Sequence, residues 1–119
     1  MIKKRNLSER HKNAIKYAVE SIKNSPLSVY VQNVILFGSC ARNEQKYTSD
    51  IDLLLVLKEE FSSEKERLRV PLRLIKSDVM TGELDDPDVD LKIVIGDEWE
   101  NSPMLFYQLI RKEGISLWH

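Results

Sequence analysis

The chain has 119 residues, of which 42% are hydrophobic and 31% are charged, and its formal net charge is −1. This length and composition predict one globular domain over residues 1–119, without room for a second substrate-binding domain. The near-zero charge gives no general attraction to nucleic acids or membranes, and apolar runs such as Leu53–Leu57 are too short to span a bilayer. With Cys40 as the one cysteine, no intrachain disulfide can form, so a cytoplasmic protein is expected.

The first part of the chain predicts a helix followed by a strand. Residues 8–24 carry apolar side chains at helical spacing behind Ser8, a suitable N-cap. The β-branched and aromatic residues of Val31–Phe37 predict a buried strand. Gly38 breaks that strand, and we expect a short helix from residue 39 to about residue 43.

The middle of the chain predicts strand, helix and strand. The nearly continuous apolar pattern of Ile51–Leu57 is typical of a strand buried on both faces. Apolar residues at helical spacing predict a helix over about residues 63–80, in which Pro71 either causes a kink or begins a second helix. Val89–Ile95 predicts a third strand.

The last part of the chain predicts a helix and a short edge strand. Ser102 is a candidate N-cap with Pro103 at the first helical position, and Gly114 marks the end of that helix. Residues 115–118 follow as the edge strand. The predicted fold class is α/β or α+β, with helices packed on a small mixed sheet.

Two aspartates stand at the start of the second predicted strand. Because side chains alternate faces along a strand, Asp50 and Asp52 point the same way, with Cα atoms about 6.6 Å apart. Carboxylates that close repel each other, and a divalent cation between them relieves the repulsion. Mg²⁺ suits such a pair, because it binds one or two carboxylates together with water and substrate phosphates.

Gly38 and Ser39 form the complementary part of the predicted site. A glycine at a strand-to-helix turn lets the backbone approach a phosphate closely, and the following N–H groups suit an anion. The Ser39 hydroxyl adds another donor. Since sequential strands are usually neighbours, this turn and the aspartate pair are expected to face each other.

A third carboxylate would complete a two-metal site or accept the proton of an incoming hydroxyl. Asp90 is our first choice, because it opens an apolar strand much as Asp52 does. Asp88 has the same parity along the strand and is the alternative. Either residue could also be an ordinary aspartate on the surface at the start of a strand.

The combined pattern resembles the minimal nucleotidyltransferase domains of the DNA polymerase β superfamily. Those domains carry Gly-Ser, ten residues and then Asp-x-Asp, as in Gly38-Ser39 and Asp50-Ile51-Asp52. Either dipeptide alone is a weak motif. The flanking residues also match, namely Ala41-Arg42, Ser49 and Leu53. Where many members have glycine, this chain has Asn43, which tolerates left-handed backbone geometry and should preserve the turn.

The resemblance implies transfer of a nucleoside monophosphate, with ATP as the expected donor, to a hydroxyl acceptor. By this resemblance Asp50, Asp52 and Asp90 bind Mg²⁺ at a two-metal site. Gly38 and Ser39 bind the β- and γ-phosphates. Arg42 has two open interpretations, a phosphate contact or an ion pair with a carboxylate of its own domain.

Several functional hypotheses remain open at this stage. Minimal members of the family are often antitoxins that adenylylate a small helical HEPN-type partner, so such a partner is expected here, and a homo-oligomer is possible. The alternative is a non-catalytic module that binds nucleotide or neutralises a partner. Nucleic-acid polymerisation is disfavoured by the small size and the absence of a basic groove in the sequence. His11 and His119 have no metal-ligand spacing and are interpreted as bystanders.

Overall fold

A computed structural model describes residues 8–119, which form a small sheet with helices on both faces. The α-helices are α1 (Glu9–Lys23), α2 (Arg69–Asp78) and α3 (Leu105–Glu113). The strands are β1 (Val31–Phe37), β2 (Ile51–Leu57), β3 (Val89–Ile95) and β4 (Ile115–Ser116). Short 3-10 turns occupy Ser28–Tyr30, Gly38–Cys40, Glu59–Glu64 and Glu98–Glu100.

The sheet is mixed, as the sequence predicted. Its strand order is β3-β2-β1-β4, with β2 and β3 parallel and the other two pairs antiparallel. The bounds of β1, β2 and β3 are those that the apolar runs predicted. The predicted fold class, helices packed on a small mixed sheet, is confirmed.

Strand β2 is central and is buried on both faces, which explains its continuous apolar sequence. Leu53, Leu55 and Leu57 are fully buried in the cluster that includes α1 and α2. Leu54 is fully buried in the opposite cluster, together with Ile110 of α3. Each such side chain contributes about 1.5–3 kcal/mol by leaving water. The core therefore fixes β2 firmly, and with it the position of Asp52.

The helix predicted at residues 39–43 is shorter than expected. Only Gly38–Cys40 forms one 3-10 turn, and Asn43 adopts a left-handed conformation with φ of 60°. The Glu44 N–H donates to the Ser39 carbonyl at 2.9 Å, which closes the turn. These bonds resemble the motif that ends many helices, with asparagine replacing glycine. Asn43 therefore preserves the turn, as predicted.

The two later helices begin after their predicted starts. Helix α2 begins at Arg69, so Pro71 lies in its first turn, where the missing N–H costs nothing. Helix α3 begins at Leu105 and not at Pro103, because Met104 is still extended, with ψ of 133°. Ser102 Oγ nevertheless accepts a hydrogen bond from the Met104 N–H at 3.2 Å, immediately before the helix.

Gly114 ends α3 as predicted, although for a different reason. Its backbone is extended, with φ of −68° and ψ of 147°, so the left-handed end typical of glycine is absent. A Cβ at this position would lie 2.6 Å from both the Ile110 carbonyl oxygen and Ile35 Cγ2. Close packing between α3 and β1 therefore excludes a side chain here. Among residues 8–119, no helix has the length and apolar character that crossing a membrane requires.

Candidate active site

The strand register brings two predicted site residues side by side. Asp52 of β2 lies opposite Asp90 of the parallel neighbour β3 and opposite Phe37 of β1. Residues opposite each other in a sheet point to the same face. Asp52 and Asp90 therefore project from the α3 side of the sheet, level with Phe37 at the end of β1.

Gly38 packs directly against the Asp52 carboxylate. Its φ is +78°, a conformation that side chains with Cβ atoms rarely adopt. A Cβ built on Gly38 would overlap Asp52 Oδ2. The glycine bend and the second aspartate of the sequence motif are therefore in contact, as the spacing of the motif predicted.

Three carboxylates share one electrostatic environment. Burial raises the pKa of Asp52, and the charges of Asp90 and then Asp50 raise it further. Lys92 and Arg42 act in the opposite direction. Asp50 lies just before β2 and is exposed, whereas Asp52 is half-buried. This mutual repulsion is the condition that a bound divalent cation relieves.

Of the two candidates for the third carboxylate, Asp90 lies opposite Asp52 in the register, and its charge acts on Asp52. Asp88 contributes its carbonyl oxygen, which accepts a hydrogen bond from the Ile51 N–H at 2.8 Å. The Asp90 carboxylate forms an ion pair with Lys92, with both oxygens 3.2 Å from Nζ. Lys92 thus supplies a positive charge beside Asp90.

The donor set fits Mg²⁺ in kind, although its side chains are not arranged around one point. Carboxylate oxygens on Asp50, Asp52 and Asp90 are the ligands that Mg²⁺ prefers, and burial, followed by the charges of Asp90 and Asp50, raises the pKa of Asp52. Within residues 8–119, however, no three acidic, histidine or cysteine side chains are grouped closely enough to hold an ion. The Asp90 carboxylate is paired with Lys92.

Glu113 is a site residue that the sequence analysis missed. Its Oε2 accepts hydrogen bonds from the Gly38 N–H at 2.9 Å and from Arg42 Nη1 at 3.0 Å. Arg42 Nε also donates to Glu44 Oε1 at 2.8 Å, and these pairs raise the pKa of Arg42. Of the two interpretations of Arg42, this structure shows the ion pair. Nothing in the local sequence links Glu113, 75 positions from Gly38, to the phosphate turn.

His11 is a second residue whose role the sequence did not indicate. It is 1% exposed, its Nε2 lies 3.0 Å from the Ser49 carbonyl oxygen, and its Nδ1 lies 2.6 Å from Ser8 Oγ. Since a carbonyl can only accept, Nε2 donates to Ser49, and Nδ1 accepts from the Ser8 hydroxyl. His11 therefore ties α1 to the residue before Asp50, which is a structural role.

Cys40 is a packing residue at the end of the glycine turn. It is 2% exposed, and its thiol lies 3.6 Å from the Asp50 carbonyl oxygen. Burial raises the pKa of the Cys40 thiol, and the charge of Asp52 raises it further. A thiol with a raised pKa is a poor nucleophile at neutral pH, so the site contains no activated cysteine.

The glycine bend thus lies against a carboxylate, and further acidic residues flank it. The sequence profile described as "Nucleotidyltransferase domain" matches residues 15–113. The chain therefore belongs to the nucleotidyltransferase domain family, whose members are transferases. The resemblance on which the sequence analysis depended is confirmed.

Solved structures agree with this assignment. A protein of Sulfolobus solfataricus, provisionally assigned as a nucleotidyltransferase in its 1.40 Å crystal structure, is similar with 25% identity and a TM-score of 0.60. The similarity covers 99% of this chain and 91% of that one. No curated protein matches the chain.

A second similar structure is described as a toxin–antitoxin with AMP-PNP. It has 19% identity and a TM-score of 0.49, and the similarity covers 87% of this chain and 71% of that one. Structural agreement this low supports no inference about the present protein.

Proposed function

We propose that this nucleotidyltransferase transfers AMP from ATP to a hydroxyl group in an Mg²⁺-dependent reaction. The observation that carries the proposal is the contact of Gly38 with Asp52, beside Asp90 in the strand register. A phosphate-binding turn and acidic side chains are the two components that nucleotidyl transfer requires. Here they lie at one end of the sheet.

The turn at Gly38 and Ser39 would bind the β- and γ-phosphates. The Gly38 N–H already binds an anion, the Glu113 carboxylate, at 2.9 Å. A phosphate oxygen can replace that carboxylate, because both accept charge-assisted hydrogen bonds. Arg42 donates a hydrogen bond to the same carboxylate, and it would be able to bind the phosphates once Glu113 moves.

The acceptor would approach from the side of Asp90. Its hydroxyl oxygen attacks the α-phosphorus, the bond from that phosphorus to the bridging oxygen breaks, and pyrophosphate leaves. The hydroxyl proton passes to the Asp90 carboxylate or to water. Asp50 and Asp52 would hold Mg²⁺, which, when bound, neutralises charge on the phosphates and the developing oxyanion.

We propose further that the acceptor belongs to another protein. Asp50 and Asp90 are exposed, so a large acceptor can reach the site. By the family resemblance, the partner is a small helical HEPN-type protein, and the chain is an antitoxin that adenylylates it in the cytoplasm. The buried, unpaired thiol of Cys40 is compatible with that compartment.

The activity is tested with ATP labelled at the α- or the γ-phosphate. With Mg²⁺ and an acceptor protein, the α-label should become covalently attached and the γ-label should not. Asp52→Asn should abolish the attachment, whereas Asp97→Asn, which changes an exposed aspartate outside the site, should not. Equal labelling by Asp52→Asn would contradict the proposed role of the site.

The identity of the acceptor requires a separate experiment. The chain is co-expressed with the product of its neighbouring gene, and the mass of that product is measured. An increase by one or more AMP units, absent with Asp52→Asn, supports adenylylation of the partner. An unmodified mass together with no stable complex would remove the antitoxin proposal and leave the transferase proposal standing.

A non-catalytic module is the second candidate, and the ion pairs at the site favour it. Lys92 pairs with Asp90, and Glu113 occupies the Gly38 N–H. If the chain neutralises a partner equally well as wild type and as Asp50→Ala/Asp52→Ala, without any transfer of label, this candidate replaces the first.

A further inference from the structure

A fully exposed leucine is held at the tip of an acidic loop before β3. Leu84 has a relative exposure of 102%, although its side chain is apolar. Its neighbours Glu83, Asp85 and Asp88 are also exposed. A single exposed leucine is ordinary on a protein surface. A leucine surrounded by acidic side chains, however, is suited to binding a cavity that is basic and partly apolar.

Hydrogen bonds fix the conformation of the loop that carries Leu84, so the loop is already ordered before it binds. Arg10 of α1 donates to the Asp85 carbonyl oxygen from both Nε and Nη2. Thr81 Oγ1 donates to Asp86 Oδ2 at 2.6 Å, and the Asp86 N–H donates to the Glu83 carbonyl at 3.2 Å. Such fixed loops lose little conformational entropy when they bind.

A cavity of complementary chemistry lies between α2 and the far end of β3. Its volume is about 560 Å³, which is ample for a leucine side chain. Three partly exposed apolar residues and three exposed cations line it, namely Leu72, Ile93, Ile95, Lys65, Arg73 and Lys76. No ion pair joins these three cations to any residue of the described range 8–119.

The loop cannot reach the cavity of its own molecule. It precedes Val89, where β3 begins, whereas the cavity includes Ile95, where β3 ends. These two ends of the strand are about 20 Å apart at roughly 3.3 Å per residue. Because Arg10 anchors the loop and Leu84 contacts solvent, Leu84 does not fill the cavity of its own molecule.

We propose that a second copy of this chain docks here, with the acidic loop of each copy inserting Leu84 into the basic cavity of the other. A loop at one end of β3 and a cavity at the other end allow a two-fold arrangement with two equal junctions. Each junction buries an apolar side chain and pairs acidic with basic residues. The contacts are small, so the dimer is weak and sensitive to salt.

Sedimentation equilibrium of the full chain measures this dimer. At low salt, wild type dimerises at protein concentrations on the order of 100 μM. Leu84→Asp and Arg73→Glu each raise the dissociation constant about tenfold or more, because each places an extra charge in both junctions. The matched controls Val29→Asp and Lys16→Glu change an exposed valine and an exposed lysine elsewhere and leave it unchanged.

Circular dichroism separates a loss of docking from misfolding. Both substitutions change exposed side chains, so in dilute solution each variant should keep the spectrum and melting temperature of wild type. A monomeric wild type at the higher concentrations overturns the proposal, as does a folded Leu84→Asp or Arg73→Glu variant that dimerises like wild type.

Discussion

Gly38 and the Asp52 carboxylate are in such close contact that no side chain fits between them. Gly38→Ala should therefore displace Asp52 and lower nucleotidyl transfer about 100-fold, the usual effect of a misplacement of about 1 Å. It should also cost about 3 kcal/mol or more of unfolding free energy. Transfer of labelled AMP and chemical denaturation measure the two effects.

Gly82→Ala is the matched control for that substitution. Gly82 has a similar φ, +84°, but a Cβ there would meet nothing within 4 Å. Only the backbone strain remains, about 1–2 kcal/mol, and the activity should persist. If both variants lose equal stability and both stay active, the contact of Gly38 with Asp52 does not matter.

The pH dependence of stability should follow from the direction in which the pKa of Asp52 is shifted. Its folded-state pKa lies above the ordinary value of 3.8 because of burial and the charges of Asp90 and Asp50. The folded state therefore binds more protons than the unfolded state between 3.8 and the raised pKa. In that window stability falls as pH rises, so ionised Asp52 destabilises the metal-free protein at neutral pH.

Asp52→Asn should remove this penalty, which raises the melting temperature at pH 7 without metal and flattens the profile above pH 4 or so. The stabilisation of wild type by Mg²⁺ should disappear in the same variant. Asp97→Asn serves as control, and thermal melts across pH with and without Mg²⁺ give the readout. A lower melting temperature for Asp52→Asn at pH 7 would contradict the argument.

The sequence predicted the parts of the site that depend on local pattern. Strand bounds followed from apolar runs, and the spacing of the motif predicted that Gly38 lies against Asp52. The contacts of Glu113 and His11 were not predictable in this way. They join residues 75 and 38 positions apart, and only the packing of α3 and α1 on the sheet brings them together.

The starts of α2 and α3 were mispredicted for a related reason. The Ser-Pro pair predicted a helix that begins at Pro103. Met104 is still extended, so the helix begins two residues later, at Leu105. Apolar spacing over residues 63–80 included Leu68, which is buried but serves as the cap of α2. Periodicity thus identified the buried face correctly, while the ends of the helices depended on tertiary contacts.

Lys92 should compete with metal for Asp90. Its ammonium group lies 3.2 Å from both Asp90 oxygens and lowers the pKa of Asp52. Lys92→Gln should therefore reduce the Mg²⁺ concentration needed for half-maximal transfer several-fold, and it should lower the melting temperature without metal. Lys16→Gln, at an exposed position of α1, is the control. An increased Mg²⁺ requirement would show instead that Lys92 supports metal binding.

Glu113 should compete with nucleotide phosphate for the Gly38 N–H. Glu113→Ala leaves that N–H and Arg42 without the carboxylate, so the nucleotide-free protein should lose about 1–3 kcal/mol of stability. The same two donors then gain more from an anion, so ATP should bind several-fold more tightly in calorimetric titrations. Glu44→Ala is the control, because it removes one partner of Arg42 and leaves the Gly38 bond intact. Weaker ATP binding by Glu113→Ala alone would mean that Glu113 positions the turn for phosphate.

The hydrogen bond from His11 to Ser49 should stabilise the chain segment that directly precedes Asp50. His11→Ala removes the donor to the Ser49 carbonyl and opens a cavity beneath α1, which should cost about 2–4 kcal/mol. Ser8→Ala removes the cap of α1 but keeps the bond to Ser49, so it should cost only about 1 kcal/mol and leave Mg²⁺ affinity unchanged. Because Ser49 directly precedes Asp50, His11→Ala should additionally raise the Mg²⁺ concentration needed for transfer. If the two variants are equally stable and bind Mg²⁺ equally well, the bond from His11 to Ser49 contributes nothing beyond capping.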